Sequence, residues 1–367
     1  MTSRTPHRRG AALVAAGALL LAACGSQPDI DREVKTEHAE PTIVDTSDMN
    51  VPIALDGLEV LDPGWDLPPQ FADGIYLSAS LDDVLTFEAM TIFGEVLWST
   101  QRPSSFTDFA VTSTSDGMPV AVLLDDGEST SLSAQAYDLR TGESLWGPVD
   151  VPGSFEGPGL IFSDEGERFT LDPDDGTMIT GPYLAEYSGT LLAAEEEVLS
   201  AVDPSGTTLW SVDAGEPTST EWVGMDGEYA LLREGDRGRI IDVATGQTVA
   251  ESAQSAGVDP ATGTLVVRDA SALHAYGEGE ALWSITVGPE TELVSVGGIF
   301  AYLREGDAIR VHNVLTGAIA QAYYADGEGT VLVPAHVTPQ GAALLFGPDG
   351  GYLLAAVPEQ PSEAPAP

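Results

Sequence analysis

A short phrase recurs along this chain and limits its fold more tightly than any other feature. It reads Gly94-Glu-Val-Leu97-Trp98, then Gly142-Glu-Ser-Leu145-Trp146, Gly206-Thr-Thr-Leu209-Trp210 and Gly279-Glu-Ala-Leu282-Trp283. Three copies lack the tryptophan: Gly176-Thr-Met-Ile179, Gly246-Gln-Thr-Val249 and Gly317-Ala-Ile319. The seven glycines stand 48, 34, 30, 40, 33 and 38 residues apart. Between them lie short apolar runs bounded by Gly, Asp and Pro, which read as strands joined by tight turns. A strand-rich unit of about 40 residues is the mark of a propeller, one blade per unit.

An incomplete eighth unit follows the seven, with runs at Val331-Leu-Val, Ala342 to Phe346 and Tyr352 to Val357 but no tag. The expected fold is therefore all-β: a single eight-bladed propeller of four-stranded antiparallel blades over residues 51–357, with seven blades as the alternative. Helical period is absent after the first 25 residues, so almost no helix is expected. A ring closes best when its last blade takes a strand from the other end of the chain, because closure removes exposed edges. Val51-Pro-Ile-Ala-Leu55 is the candidate for that strand.

The turn before each phrase has its own chemistry. Asp138-Leu-Arg-Thr-Gly142, Asp242-Val-Ala-Thr-Gly246 and Asn313-Val-Leu-Thr-Gly317 each end a strand on an Asx residue and reverse at Thr-Gly. Asx can hydrogen-bond the amides of its own turn, and Gly accepts a positive φ at low cost. The Trp that follows lies on the outer strand, where a large ring can wedge between blades and bury roughly 150–250 Å². Thr180, Ala250 and Gln321 stand where Trp would, so three junctions are expected to be looser.

This pattern resembles the tryptophan-docking repeats of PQQ-like β-propellers, over roughly residues 55 to 357. That family includes quinoprotein dehydrogenases and the non-enzymatic propeller lipoprotein of the outer-membrane β-barrel assembly machinery. The resemblance implies the fold; the tag itself is structural and implies no chemistry. The dehydrogenases carry a longer chain, a calcium site beside the quinone and commonly a vicinal disulfide. Cys24 is the only cysteine, so no disulfide can form within the chain. Neither PQQ nor calcium is expected as a cofactor.

The N-terminus carries Arg4, Arg8 and Arg9 without an acid, then an apolar run from Ala11 to Ala23. Thirteen residues are too few to span a bilayer comfortably and suit the core of a signal peptide. The run ends Leu21-Ala22-Ala23-Cys24, which resembles a bacterial lipobox. That resemblance implies cleavage of residues 1–23, lipid on Cys24 and a durable membrane anchor, since each buried CH₂ adds about 0.8 kcal/mol. Residues 24–50 are expected as a tether, flexible over Ser26 to about Glu40. Residues 358–367 are expected as a disordered Pro-rich tail.

Charge excludes one class of partner. The chain has 58 acidic and 14 basic residues, a formal −44. Thirteen of the basic residues are Arg and only Lys35 is Lys. With no basic stripe to release counterions from phosphates, nucleic acid is not an expected partner. The acidity serves solubility and opposes self-association, which favours a monomeric propeller.

No catalytic constellation emerges. Of His7, His38, His274, His312 and His336, no pair has metal-ligand spacing. His274 and His312 fall on third strands of their units. Asp172, Asp174, Asp175 and Gly176 imitate the start of a calcium loop, but Tyr183 stands where the closing Glu is needed, so a hairpin turn is expected. No metal site is expected. The functional expectation is a lipid-anchored module facing the extracytoplasmic side of the cell membrane, non-enzymatic, binding an envelope protein. A propeller that binds or senses a small molecule or glycan is the alternative, and a quinone-dependent or hydrolytic enzyme follows that.

Overall fold

The computed structural model describes residues 30–359 apart from 39, 128–130, 214–216, 218, 226, 236 and 326. Leu21, Ala22, Ala23 and Cys24 lie outside the described residues, as does the tail from residue 360.

Eight antiparallel sheets follow one another around a ring. Blades 1 to 6 cover residues 70–102, 109–151, 154–180, 183–213, 219–251 and 255–286, each with four strands in chain order. Blade 7, residues 292–313, has three strands, and a lone bridge from His312 to Ile319 is what remains of its fourth. The first strand of each blade is innermost, and those of blades 1 and 2 and of blades 4 to 8 in turn touch one another. Helix is limited, among the described residues, to one short 3-10 turn. The ring buries apolar clusters between neighbouring blades rather than one central core; Leu77, Phe87, Trp98, Phe109, Leu123 and Tyr137 belong to the cluster between blades 1 and 2.

Blade 8 is built from both ends of the chain. Pro334–Val337, Ala343–Phe346 and Tyr352–Ala356 supply its three inner strands, and Glu59–Trp65 supplies the fourth. In that pairing Val60 faces Ala355 and Leu61 faces Leu354. Thr42–Ile43 adds a fifth, outermost strand. Closure by an N-terminal strand is as expected, but the strand is not Val51–Leu55. Ile53–Leu55 is the 3-10 turn. Its apolar side chains serve a different end: Leu55, Val51, Met49 and Val44 pack on the face of blade 8 that carries Leu345 and Leu353. The Ile53 amide donates to the Ala322 carbonyl, and Met49–Asn50 pairs in parallel with Thr330–Val331. This segment thus occupies the seam beside blade 7, where the fourth strand is missing.

The chain before it also has a place. Around Lys35 it runs antiparallel along Val96–Arg102, the outer strand of blade 1. The Lys35 and Ser99 amides donate to each other's carbonyls at 2.8 and 2.9 Å, and the Gln101 amide donates to the Asp31 carbonyl. Arg32 pairs with Asp125 of blade 2, which also lies 3.6 Å from the buried Arg102. From Asp31 to Lys35 the segment read as a tether is laid against the rim of the ring.

Candidate functional site

The repeated phrase turns out to serve two junctions at once. Each tryptophan docks forward onto the glycine of the next blade, not onto the glycine of its own phrase. Trp98 Nε1 donates to the Leu139 carbonyl at 2.8 Å, Trp146 to Pro173 at 2.8 Å, Trp210 to Val243 at 2.8 Å and Trp283 to Val314 at 2.7 Å. Every acceptor is the residue after the Asx of the following turn. The glycine of that turn lies against the ring: a Cβ added at Gly142 would stand 2.8 Å from Trp98, and one at Gly176, Gly246 or Gly317 would be as close to Trp146, Trp210 or Trp283. The positive φ of these glycines brings the backbone onto the ring with no side chain between. Where Trp is missing, the glycine is bare. Nothing lies within 4 Å of such a Cβ at Gly206 or at Gly279, the next glycines of the phrase after Thr180 and Ala250. At the closing junction Leu61 of the N-terminal strand takes the ring's place over Gly94.

The phrase is therefore structural, and the concave site lies elsewhere, in the central channel. Two cavities meet there. One, of about 240 Å³, is lined by the inner strands of blades 1 to 5, with Phe71, Phe109, Phe155, Tyr187, Trp222 and Glu186. The other, of about 280 Å³, is lined from blades 5 to 8 by small and aliphatic residues together with Ser295, Glu228 and His336. Trp222, Gly224 and Met225 border both.

The polar groups of the channel are of two kinds. Glu186 is fully buried yet satisfied: Thr112 Oγ1 donates to it at 2.7 Å, and the Leu160 and Gly189 amides donate at 3.1 Å. Burial pushes its carboxyl above the ordinary range, against the pull of those three donors. It ties blade 4 to Thr112 of blade 2 and to the loop before Ile161 of blade 3. Asp259 ties blade 6 to blade 7 in the same way, accepting from the Ile299 amide. The second kind has unspent capacity. The His336 ring is 6% exposed, its Nδ1 bonded to the Tyr76 hydroxyl at 2.9 Å and its Nε2 without a partner. Burial holds this imidazole down at about 4, so it is neutral near pH 7. Trp222 Nε1 and Ser295 Oγ are likewise buried without a partner.

Of the other histidines, His274 pairs with Asp269 at 2.9 Å and His312 Nδ1 meets the Gly317 carbonyl at 2.9 Å; both lie on third strands, as expected. Asp172, Asp174 and Asp175 form a turn in which Asp174 accepts from the Ser115 amide and hydroxyl of blade 2. Among the described residues no three His, Cys, Asp or Glu side chains converge as a metal would need. The channel does not suit a polycarboxylate quinone: among the described residues its two cavities are lined by Glu186 and Glu228 and by no Lys or Arg. Sequence reasoning passed over Glu186, Trp222 and Phe155. Their one common sign is a position on or beside an innermost strand.

No family model matches this chain, and no curated protein matches it. Among solved structures it is similar to Hsv2p of Kluyveromyces lactis, at 10% identity and a TM-score of 0.42, over 70% of this chain and 98% of that one. A likeness of that size carries no argument about function.

Proposed function

We propose that the protein is a membrane-anchored extracytoplasmic lipoprotein whose propeller is a non-enzymatic binding or scaffold module of the cell envelope. The observation that carries this reading is the course of the N-terminal chain. It is stapled to the rim of blade 1 from Asp31 and woven into blade 8 by Glu59–Trp65. Five residues separate Ile30 from Cys24. At about 3.5 Å per residue they reach roughly 20 Å at most. A lipid on Cys24 would therefore hold the edge of blades 1 and 2 close to the bilayer and turn the rest of the ring outward. Such a mounting serves a platform that must present its surface in one orientation.

The docking of Trp98, Trp146, Trp210 and Trp283 supports the resemblance to PQQ-like propellers, including the barrel-assembly lipoprotein. The leucines beside three of these rings, Leu145, Leu209 and Leu282, are exposed on the outer strands of blades 2, 4 and 6. Leu209 and Leu282 offer an envelope protein an apolar rim on blades other than the tethered pair.

Mass spectrometry of the N-terminal peptide from the membrane fraction tests the anchor. The expected result is a diacylated Cys24 as first residue, and release of Cys24→Ser into the soluble fraction. An unmodified thiol on a freely soluble protein would sink the reading. Photo-crosslinkers at Leu209 and Leu282 test the platform: a discrete adduct is expected there and none at Leu97 beside the tethered edge. A small-molecule-binding propeller is the second reading, favoured by the two channel cavities and the unpartnered groups around them.

A further inference from the structure

We propose that the aromatic cavity of the central channel binds a compact organic cation of the alkylammonium class. The proposal goes beyond the scaffold reading and depends neither on the lipid nor on a protein partner. It starts from what five blades bring together. Phe71, Phe109, Phe155, Tyr187 and Trp222 come from the inner strands of blades 1, 2, 3, 4 and 5 in turn and line one space. Tyr187 and Trp222 stand with ring centres 5.5 Å apart, tilted by 57°. The faces of aromatic rings carry negative potential, and a cation within about 6 Å of them is attracted, more strongly once water is excluded.

The charges point the same way. Among the described residues no Lys or Arg lines either cavity; Glu186 is fully buried behind the aromatic wall, and Glu228 stands exposed in the wall of the other. The Glu186 carboxyl is clamped by Thr112, Leu160 and Gly189, so it cannot swing out to meet solvent. The whole molecule carries a formal −44. A cleft with low-dielectric walls in such a body concentrates cations and repels anions. A ring-lined cavity in a basic or neutral protein would suit any apolar guest; this one favours a positive guest.

Size narrows the class. At about 240 Å³ the cavity is below the range of roughly 300–1,000 Å³ that holds a drug-sized ligand. A choline-sized cation fills this cavity alone, whereas a longer cation would have to extend past Trp222 and Met225 into the second.

Calorimetry and tryptophan fluorescence on the full-length protein in neutral detergent test this. The probes are choline, its neutral isostere 3,3-dimethylbutan-1-ol, and the anion 3,3-dimethylbutanoate. Choline is expected to bind about 10-fold more tightly than the isostere, the span of a desolvated cation–π contact, with no binding of the anion. Trp222→Leu and Phe155→Leu are each expected to weaken choline by several-fold while thermal unfolding stays cooperative; if one does not fold, the other decides. Leu209→Ala on the outer rim is expected to change nothing. Equal affinity for choline and its isostere, tighter binding of the anion, no binding of choline at all, or unaltered affinity in both ring variants would overturn the proposal.

Discussion

The junction between blades 1 and 2 and the junction between blades 3 and 4 come from the same repeat and are held in opposite ways. At the first, Trp98 is fully buried, lies on Gly142 and donates to Leu139, and Val34 of the N-terminal segment covers both. At the second, Thr180 stands exposed in the tryptophan's place, Gly206 has nothing over it, and the buried cluster is small: Ile161, Tyr183, Leu191 and Ala193. Blade 7 shows a third case. Gln321 stands in the tryptophan's place, but the N-terminal residues Val44 to Leu58 enter the adjoining seam and supply apolar contact. A ring needs each interface to be adequate rather than identical, and a segment from outside the repeat can make up a deficit in one blade. The polar ties Glu186 and Asp259 work in parallel with the rings, since each reaches a neighbouring blade through backbone amides.

This contrast can be broken most directly by removing the ring at the sealed junction. Trp98→Ala is expected to cost about 3–5 kcal/mol, because a fully buried indole leaves a cavity and a carbonyl without its donor. Thr180→Ala is expected to fall within about 0.5 kcal/mol of the parent. Equilibrium urea unfolding measures both, and equal effects would mean that the tryptophans do not hold the ring.

Acid attacks the sealed side from within. His336 packs on Phe71 and Tyr76 between blades 8 and 1, and its titration is held down to about 4 by burial. The unfolded chain, near 6.5, binds the proton first. Stability from this group is therefore complete above about pH 6.5 and falls as the pH drops toward 4, by roughly 3 kcal/mol in all. Unfolding of the parent and of His336→Phe, followed from pH 7 to 4, should show a shallower decline in the variant. Parallel curves would refute the assignment.

The glycines give a finer comparison. Gly142→Ala meets the Trp98 ring and Val34 as well as the cost of a positive φ, whereas Gly206→Ala meets only the latter. The expectation is roughly 2–4 kcal/mol for the first and about 1–2 for the second. The smallest effect is a gain. Thr180→Trp would restore the missing ring, with Gly206 as its seat and the Pro204 carbonyl, which follows Asp203, as its acceptor. A stabilisation of about 1 kcal/mol is expected, seen as a higher urea midpoint with unchanged slope.

The parts legible in the sequence were those under a repeating constraint. Asx, Thr-Gly and Trp recur because every blade must make the same turn and meet the next one, so blade number and strand order could be read from spacing. The closing strand could not. Glu59–Trp65 carries Asp62-Pro63-Gly64, a turn-like triplet that argues against a strand; the pairing with Tyr352–Ala356 tolerates it through a register shift between Leu61 and Trp65. Val51 to Leu55 looked like a strand because it is apolar, yet its apolar side chains fill a seam. The channel left even less trace. Phe71, Phe155, Glu186 and Trp222 are far apart in sequence, and their proximity follows from ring closure rather than from any local pattern.

The weaving of Glu59–Trp65 against Tyr352–Ala356 also sets a timetable. Almost 300 residues lie between those two strands and must be made before they can meet, and a loop of that length closes late and at an entropic cost that grows only slowly with its size. Until then, Leu61 and Gly94 have no partner from the last blade beside them, and any chain stopped short of residue 352 is left with an unclosed rim. Quality control in the cell thus has a simple cue for an unfinished molecule: an N-terminal strand still waiting for its mate.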